Sequence, residues 1–527
     1  MAAVETLITD HLDLWTAALK RKSTAGRGSS SKVEMYGIKK LRELVYELAA
    51  KGLLVAGGRD TRNDYLNLGE VSEFVMGQAP AGNECNKDGK GTVFVKTGEF
   101  GQRYPEIKEW TTKPLKFAQK GDVLICVVGA TIGKLNFGID CAIGRSVAAI
   151  RPSQKILTEY LYISLVPFTI KLRQNSRGSA QGVIGKAELS AIKIRVPPLA
   201  EQHRIVAKVD ELMALCDQLE QHTDASLGAH QTLVETLLSA LTSAADHAQF
   251  ASAWLRIAGH FDTLFTTEES IDQLKQTILQ LAVMGKLVPQ DPNDEPASEL
   301  LKKIAAEKAK LVKEGKAKKE RLLPPVGDAE APYRLPQGWA WIRLGQCGVC
   351  STGKTPSTNE PKYYDGDIPF IGPGQISIDG ELSAPEKFVS EAGLEESTEA
   401  KPNDIFMVCI GGSIGKAAIA DKRLAFNQQI NAIRPILLSS KYLYVAVSSK
   451  HFTDGVIAYA TGSATPIINR SKWEELPVPI CSIQEQIRIV AKVDELMALC
   501  DLLKSRLSDA QATQLHLADA LVEQAIG

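Results

Sequence analysis

The chain has no run of apolar residues that reaches the roughly 20 needed to cross a bilayer as a helix. Its first residues mix acidic with apolar side chains, so we expect neither a secretory signal nor export. Nine cysteines, an odd number without regular spacing, argue against a disulfide scaffold and for a reducing compartment, the cytoplasm. Eight scattered histidines suggest no catalytic triad.

Charge and metal ligands give two further exclusions. Lysine plus arginine (61) nearly cancels aspartate plus glutamate (62), which argues against a strongly basic, indiscriminate nucleic-acid binder. Any basic surface must therefore be local. Cys347 and Cys350 form a close pair, but no second pair has comparable spacing, so we predict no bound metal.

An internal repeat organises the 527 residues, which are too many for one hydrophobic core. Segments 201–217 and 485–501 agree at sixteen of seventeen positions across a shift of 284. Upstream motifs keep the same order in both halves, as in Gly133-Lys134 and Gly415-Lys416. The sequence therefore contains two diverged copies of one plan.

The two most similar segments predict long helices. In each, apolar residues recur at alternating steps of four and three, which is typical of a coiled-coil seam. The seam residues are Ile205, Val209, Leu212, Cys216 and Leu219 in the first copy, and Ile489, Val493, Leu496, Cys500 and Leu503 in the second. A helix over about 201–241 would be ~60 Å long, too long to bury against one small domain. We therefore expect the two helices to pack on each other.

Each long helix follows a more variable region. There, short apolar runs broken by Gly, Pro, Asn and Asp, as in 121–138 and 403–420, predict strands and turns. A shorter helix is expected before each region, because 38–55 recurs as 271–288 at a shift of 233. Similar helices beside diverged domains suggest a shared backbone plan with different specific tasks. Tighter packing demands on the helices would explain the same contrast.

Residues 348–355, Gly-Val-Cys-Ser-Thr-Gly-Lys-Thr, satisfy the phosphate-loop pattern. In the first copy Ser72, Gln78 and Ala79 replace the pattern's first glycine, its lysine and its threonine, although the second glycine persists as Gly77. The glycine of the turn is retained in both copies, whereas the residues that would bind phosphate are not. We therefore do not predict ATP binding.

Two other fragments resemble catalytic motifs. Residues 370–374 (Phe-Ile-Gly-Pro-Gly) resemble the loop that approaches S-adenosylmethionine in methyltransferases, but the first copy has Lys96 at the middle glycine, and no Asn/Asp-Pro-Pro-aromatic tetrad is present. Glu106 and Lys108 form only a fragment of a nuclease pattern. We therefore predict that this chain is not an enzyme.

Three stretches then point to a family: Pro197-Pro-Leu-Ala-Glu-Gln202 running into Arg204-Ile-Val206, Gln484-Glu-Gln486 with Arg488-Ile-Val490, and Leu335-Pro-Gln-Gly-Trp339-Ala-Trp341. Over essentially its whole length the chain resembles the specificity subunit of type I restriction-modification systems. The first domain departs from the pattern, because it lacks the Pro-x-Gly-Trp-x-Trp opening and begins near Asn63.

The resemblance implies an α+β fold with two target recognition domains of mixed β-structure and helices, separated by long antiparallel coiled-coil helices that fix a spacer. Each domain would read one half of a bipartite double-stranded DNA site. Modification subunits would methylate adenine with S-adenosylmethionine, and an ATP-dependent restriction and translocation subunit would use ATP and Mg²⁺. The chain itself would bind none of these cofactors.

On this plan the domains are as follows: an N-terminal helical region 1–60, target recognition domain 1 at 61–197, a central helical region 198–290, a charged helical linker 291–334, target recognition domain 2 at 335–479 and a C-terminal helix 480–527. Residues 298–321 hold nine Lys/Arg and four Glu on a helix-favouring background that ends before Pro324-Pro325. A solvated helix is the first interpretation of this segment, and a basic surface near DNA phosphates is the second.

Polar side chains on the loops are the candidates for DNA contacts, because base edges are recognised by hydrogen-bond donors and acceptors while cations hold phosphates. In domain 1 they are Lys96, Gln102, Arg103, Lys134, Arg145, Arg177, Ser179, Gln181 and Lys186. In domain 2 they are Lys354, Thr355, Gln375, Lys416, Asn427, Gln428, Ser463, Thr465 and Arg470. The alternative function is a coiled-coil scaffold without DNA specificity, and a phosphate-loop ATPase ranks last.

Overall fold

The computed structural model describes residues 2–22, 32–55, 65–129, 131–175, 183–318, 321–462 and 465–526. These residues divide into two compact units, which are described separately. The first unit comprises 2–227 together with 510–526, and the second comprises 228–509. Each unit therefore contains one variable domain and parts of both long helices.

The helices are α1 (Ala2–Thr9), α2 (Leu12–Ala17), α3 (Tyr36–Lys51), α4 (Leu68–Val71), α5 (Thr158–Asn175), α6 (Lys186–Ser190), α7 (Leu199–Ser243), α8 (His247–Gly259), α9 (Phe261–Leu264), α10 (Glu268–Val283), α11 (Ala297–Lys313), α12 (Glu391–Glu395), α13 (Ser440–Ser448), α14 (Lys450–Tyr459), α15 (Arg470–Glu474) and α16 (Ile483–Ile526). None in the described ranges is long and apolar enough to span a membrane.

The strands of the first unit are β1 (Lys20–Lys22), β2 (Lys32–Glu34), β3 (Tyr65–Asn67), β4 (Ser72–Met76), β5 (Cys85–Asn86), β6 (Thr92–Val95), β7 (Trp110–Thr111), β8 (Phe117–Ala118), β9 (Val123–Cys126), β10 (Leu135–Phe137), β11 (Cys141–Ile143), β12 (Val147–Pro152) and β13 (Lys193–Arg195). Those of the second are β14 (Ala340–Arg343), β15 (Gly348–Thr352), β16 (Ile368–Ile371), β17 (Lys387–Val389), β18 (Glu399–Ala400), β19 (Ile405–Val408), β20 (Ala417–Ile419), β21 (Leu424–Phe426), β22 (Ile430–Pro435) and β23 (Pro477–Ile480).

The two variable domains share a sheet topology, except that the second sheet of domain 1 has one additional strand, β5. In domain 1 an antiparallel sheet has the order β10-β9-β12-β4, and in domain 2 the order β20-β19-β22-β15 is its counterpart. A second, mixed sheet contains one parallel pair, β6 with β11 in domain 1 and β16 with β21 in domain 2. The predicted strands and turns and the α+β class are therefore confirmed, and the repeat extends to strand order.

A short antiparallel pair joins the beginning and end of each domain. β3 pairs with β13 in the first, and β14 pairs with β23 in the second. The opening strand β3, which begins at Tyr65, thus pairs with the last strand of its domain as the Trp-rich strand Ala340–Arg343 does, although the two sequences differ. Both pairs bring the chain back to the start of a long helix.

The glutamine of the repeated Glu-Gln motif anchors each long helix. Gln202 is fully buried, donates from Nε2 to the carbonyls of Lys155 and Pro197 at 2.9 and 2.8 Å, and accepts from the Leu157 amide at 2.9 Å. Gln486 is buried in the same way and accepts from the Ser439 amide at 3.0 Å. These residues are structural anchors between domain and helix, since their polar atoms are occupied within the chain.

The long helices have 45 residues in α7 and 44 in α16. The first seam lies in a hydrophobic core of unit 1 that also holds Ala518, near the end of α16. The second seam lies in a core of unit 2 that also holds Leu238, near the end of α7. Each helix start thus shares a core with the end of the other helix, as antiparallel helices do. The two similar seams do not form one shared core, because each packs within its own unit.

The charged segment forms a shorter helix than its composition predicts. Helix α11 ends at Lys313, and Gly315 follows with a φ of 71°. A left-handed residue such as this glycine is a frequent helix terminator, so the helix ends before Pro324 is reached. One face of α11 is buried through Leu300 and Ile304.

Candidate nucleic-acid interface

Loops from four strands meet at one end of domain 1. The Gln78 amide donates to the Ile143 carbonyl at 3.0 Å, and the Gly144 amide donates to the Val95 carbonyl at 2.9 Å. Cys126, the last residue of β9, pairs with Val147, the first residue of β12. Because β6 and β11 are parallel, their following loops leave from the same edge. We call this surface the loop end; in domain 1 it comprises the described residues of 77–80, 96–100, 127–134 and 144–146.

Domain 2 has the equivalent loop end, formed by residues 353–356, 372–376, 409–416 and 427–429. The Lys354 amide donates to the Phe426 carbonyl at 3.1 Å, and the Asn427 amide donates to the Ile371 carbonyl at 3.0 Å. The stretch before α15 also approaches, since the Ile468 amide donates to the Cys409 carbonyl at 2.9 Å. The same backbone framework is therefore built twice.

A 3-10 turn after the parallel strand shows how this framework accepts different side chains. In domain 1 the turn is Thr97–Glu99, and the Glu99 carboxylate accepts from the Lys96 amide at 2.8 Å. In domain 2 the turn is Pro373–Gln375, and Gln375 Oε1 accepts from the Gly372 amide at 3.0 Å. The same side-chain cap therefore closes both turns, although the residue before the turn is Lys96 in domain 1 and Gly372 in domain 2.

Six of the predicted residues lie at the loop end of domain 2: Lys354, Thr355, Gln375, Lys416, Asn427 and Gln428. The Thr355 hydroxyl donates to Gln428 Oε1 at 2.6 Å. A Cβ on Gly372 would lie 3.1 Å from the Asn427 side-chain nitrogen, which places Asn427 beside the turn that carries Gln375. Lys354 is exposed and pairs with Glu396 at 3.0 Å. Gln375 is partly engaged already, because its other polar atom donates to Glu386 at 3.3 Å.

Domain 1 brings together Lys96 and Arg145. A Cβ on Gly144 would lie 3.0 Å from Lys96 Cγ, so the residue before Arg145 touches the lysine stem. An ion pair with Glu109 raises the pKa of Lys96, so the side chain stays protonated. Arg145 is exposed and has no ion pair among the described residues.

Other candidates lie elsewhere. Arg103 lies 3.6 Å from the Asp210 carboxylate of α7 and 5.6 Å from the Phe137 ring centre, at the opposite end of β10 from the loop end. Gln102 precedes it on an exposed loop.

Arg470 pairs with Glu474 at 3.0 Å within α15. Lys186 and Thr465 are exposed, and each follows or precedes a residue bonded to a loop end, since the Ile184 amide donates to the Val127 carbonyl and the Gly411 amide donates to the Pro466 carbonyl, both at 2.9 Å. Arg177, Ser179, Gln181 and Ser463 lie outside the described residues.

Sequence reasoning missed Gln78, which is exposed at the loop end of domain 1. Its position in the repeat corresponds to that of Lys354, because Gly77-x-x-Pro80 matches Gly353-x-x-Pro356. The signal was therefore present in the alignment of the two copies. A loop position that differs between otherwise equivalent turns is a natural place for specificity.

The phosphate-loop resemblance has a structural explanation. Gly348–Thr352 is strand β15, which pairs with β22, so its amides are not arranged around an anion. A Cβ on Gly348 would lie 2.0 Å from the Arg434 carbonyl oxygen, and one on Gly353 would lie 2.0 Å from that of Asn427. The glycines serve close strand packing, and the element after them is the 3-10 turn Pro361–Tyr363 rather than a long helix.

Comparison with known proteins explains the duplicated framework. The profile of the family described as "Type I restriction modification DNA specificity domain" matches residues 63–228 and 336–510. The chain belongs to the family of type I restriction-modification specificity subunits. The resemblance drawn from the sequence motifs is therefore confirmed, and the scaffold alternative is not favoured.

Two relatives from Escherichia coli match this specificity subunit along nearly its full length. The type I restriction enzyme EcoAI specificity subunit is 36% identical, with 99% of this chain and 100% of the relative covered. The EcoEI specificity subunit is 34% identical with the same coverage. A solved chain from work on complex assembly and conformational transition of the type I R-M system has a TM-score of 0.50 at 18% identity, covering 88% of this chain and 97% of that one, which shows a shared fold.

The basic helix of this specificity subunit lies away from the loop end. Lys308 of α11 donates from Nζ to the carbonyls of Gly345 and Gly348 at 2.5 and 2.7 Å. Those carbonyls lie at the start of β15, whereas the loop end follows the last residue of that strand. A solvated helix packed on the opposite end of the sheet is the interpretation that this placement favours.

Proposed function

We propose that this specificity subunit reads a two-part DNA sequence, with each loop end contacting one part. The observation that carries the proposal is the duplicated loop framework with different side chains. Gln78 in domain 1 corresponds to Lys354 in domain 2, and Lys96 corresponds to Gly372. A constant backbone with variable polar groups is what two readers of different base sequences require.

The two loop ends differ in chemistry. Domain 1 presents Lys96 and Arg145, whose cationic groups suit phosphates or guanine acceptors. Domain 2 presents a joined pair of hydroxyl and amide, Thr355 and Gln428, at 2.6 Å. Amides can bond adenine on its major-groove edge through one donor and one acceptor. We therefore expect the two halves of the DNA site to differ in sequence.

Catalysis is assigned to partner subunits. We propose that modification subunits methylate adenine within the recognised site using S-adenosylmethionine, and that a restriction subunit translocates DNA with ATP and Mg²⁺. This chain would recognise the DNA sequence at which the partner subunits act. The relatives' designation as specificity subunits of type I restriction enzymes supports this division of work.

Methylation mapping tests the function. The chain is expressed with its modification subunits, and host DNA is sequenced for N6-methyladenine. We expect one split motif with a constant spacer. Exchange of residues 61–197 for those of a relative should change one half of the motif, and exchange of 335–479 should change the other half.

The two exchanges control for each other, because each chimaera retains one parental half-site. Methylation without a shared motif in the presence of active partners would contradict DNA reading by this chain. A change of both halves by either exchange would contradict the assignment of one half to each domain.

A further inference from the structure

We infer that Lys134 and Lys416 are positioning residues for DNA reading rather than DNA contacts. Each supports the 3-10 turn that follows the parallel strand of its domain, Thr97–Glu99 or Pro373–Gln375, which we call the recognition turn. The support is a hydrogen bond to the carbonyl of the residue directly after that turn. The inference rests on the proposed function, because it concerns the loop ends that would read DNA. It also reassigns two residues that the sequence alone places among the DNA contacts.

The lysines occupy the same position in two closely similar hairpin turns. Gly133 precedes Lys134 with a φ of 76°, and Gly415 precedes Lys416 with a φ of 90°. The amides of these glycines donate to the carbonyls of Cys126 and Val408 at 2.8 and 2.9 Å. Such φ values favour glycine, so each turn fixes where its lysine leaves the backbone.

Both lysine side chains reach equivalent acceptors. Lys134 Nζ donates to the Phe100 carbonyl at 2.5 Å, and Lys416 Nζ donates to the Ile376 carbonyl at 3.5 Å. Phe100 and Ile376 directly follow the two recognition turns, and their side chains are buried. Each lysine therefore links the hairpin between two sheet strands to the turn that follows the parallel strand.

The electrostatics favour this role over free contact with DNA. Phe100 and Ile376 lie in extended backbone directly after the turns, so their carbonyls take a donor from outside the turn, and the lysine ammonium supplies it. Both lysine side chains are half-buried. A lysine that moved to a phosphate would leave this carbonyl without its partner, which has a free-energy cost.

Constancy across the two copies supports the same conclusion. The recognition turns differ at Thr97 and Pro373 and at Glu99 and Gln375, and the residues before them differ as Lys96 and Gly372. The supporting lysine is the same in both. A base-reading residue should vary with the half-site, whereas a residue that supports a common framework should not. A phosphate contact could also be constant, so the experiment must separate these two roles.

The decisive variants are Lys134→Met and Lys416→Met, which keep much of the apolar stem and remove the donor. They are studied in the full chain assembled with its modification subunits. Affinity is measured for specific and for unrelated DNA across a salt series, and methylated host DNA is sequenced. Lys416→Arg is the conservative variant, since its guanidinium can still donate to the carbonyl, and Lys422→Met removes an exposed lysine of the same domain.

Positioning predicts that the affinity for specific DNA falls about tenfold while affinity for unrelated DNA and the salt slope remain unchanged. The methylation motif should relax in the half read by the altered domain alone, and Lys416→Arg should restore it. A salt slope lower by about one, with equal loss on both DNAs, is the signature of a phosphate contact and would overturn the inference.

Folding is monitored in the same samples. The unaltered domain is the internal control for folding, because its half of the motif must persist. If the methionine variants lose both halves of the motif, or fail to assemble, and Lys416→Arg recovers, the lysine is required for the fold in general. That result would also overturn the inference. If the unaltered chain yields no split motif, the proposed function fails. If it does and the variants follow the phosphate signature, only the positioning role fails.

Discussion

Lys504 of α16 donates to Asp272 of α10 at 2.8 Å, and the corresponding positions in the other copy carry the opposite charges, Glu220 on α7 and Lys39 on α3. A neighbouring pair keeps its sign, with Arg42 bonded to Asp217 in the first unit and Lys275 bonded to Asp501 in the second, both at 2.5 Å. The long helices are almost identical at their starts, so these reversed charges distinguish one copy from the other. A short helix on the wrong long helix would place Asp272 against Glu220, or Lys39 against Lys504.

Reversing one member of this pair should destabilise the second unit slightly. Lys504→Glu would place two carboxylates together, and because both side chains are partly exposed we expect a loss of about 0.5 kcal/mol. The double variant Asp272→Lys with Lys504→Glu should recover most of the loss. The thermal unfolding midpoint of the full chain measures both, and Arg506→Glu, an exposed change on the same helix, is the control. No recovery in the double variant would contradict the pairing.

Gln202→Ala should be more damaging. The change removes three hydrogen bonds and leaves the Leu157 amide and two carbonyls without this partner in a buried site, which we expect to cost about 2–4 kcal/mol. Urea unfolding monitored for the first unit is the measurement. Gln218→Ala on the exposed face of the same helix should cost under ~0.5 kcal/mol. Equal effects of the two substitutions would show that the buried glutamine is not an anchor.

Lys354→Ala should affect DNA binding without any change in nucleotide binding. The lysine is exposed at the loop end of domain 2, whereas β15 uses the preceding amides of the phosphate-loop pattern in its ladder. Because Lys354 occupies a position that differs between the two copies, its loss should weaken binding to specific DNA and relax the half of the motif that domain 2 reads. Titration with a fluorescent ATP analogue should give the same weak or absent signal before and after the substitution. Nucleotide binding that depended on Lys354 would revive the ATPase interpretation.

Glu485 should make the stability of the second unit depend on pH. Its carboxylate accepts from Trp339 Nε1 at 2.9 Å and from Gln290 Nε2 at 2.6 Å, yet burial raises its pKa above the ordinary 4.5. A raised folded pKa contributes stability that is complete below the ordinary value and is lost as pH rises through the folded value.

Glu485→Gln should therefore reduce the decline of the unfolding midpoint over the window from about pH 4.5 up to the raised folded pKa. Glu495→Gln, an exposed change on the same helix, is the control. Parallel pH profiles for the wild type and Glu485→Gln would refute the linkage. The equivalent Glu201 pairs instead with the buried Arg195 at 2.8 Å, so the same motif residue has different partners in the two units.

The repeat and the local patterns determined much of the architecture. The alternating four- and three-residue steps indicate α7 and α16 because helix periodicity is a local property. Glycines such as Gly133 and Gly415 mark turns because their backbone conformation excludes most other residues. Family motifs such as Glu201-Gln202 identify the family, although their anchoring role is visible only in the hydrogen bonds of the folded chain.

Tertiary structure alone decided which polar residues share a surface. Thr355 meets Gln428, and Lys96 meets Gly144, because the parallel pairing of β6 with β11 and of β16 with β21 carries distant loops to one edge. Strand order depends on long-range pairing that no local pattern encodes. The same holds for Arg103, which lies beside Asp210 and away from the loop end. Sequence periodicity determined the elements and their repetition, whereas the sheet topology determined the sites, because only folding brings residues far apart in the chain within hydrogen-bond distance.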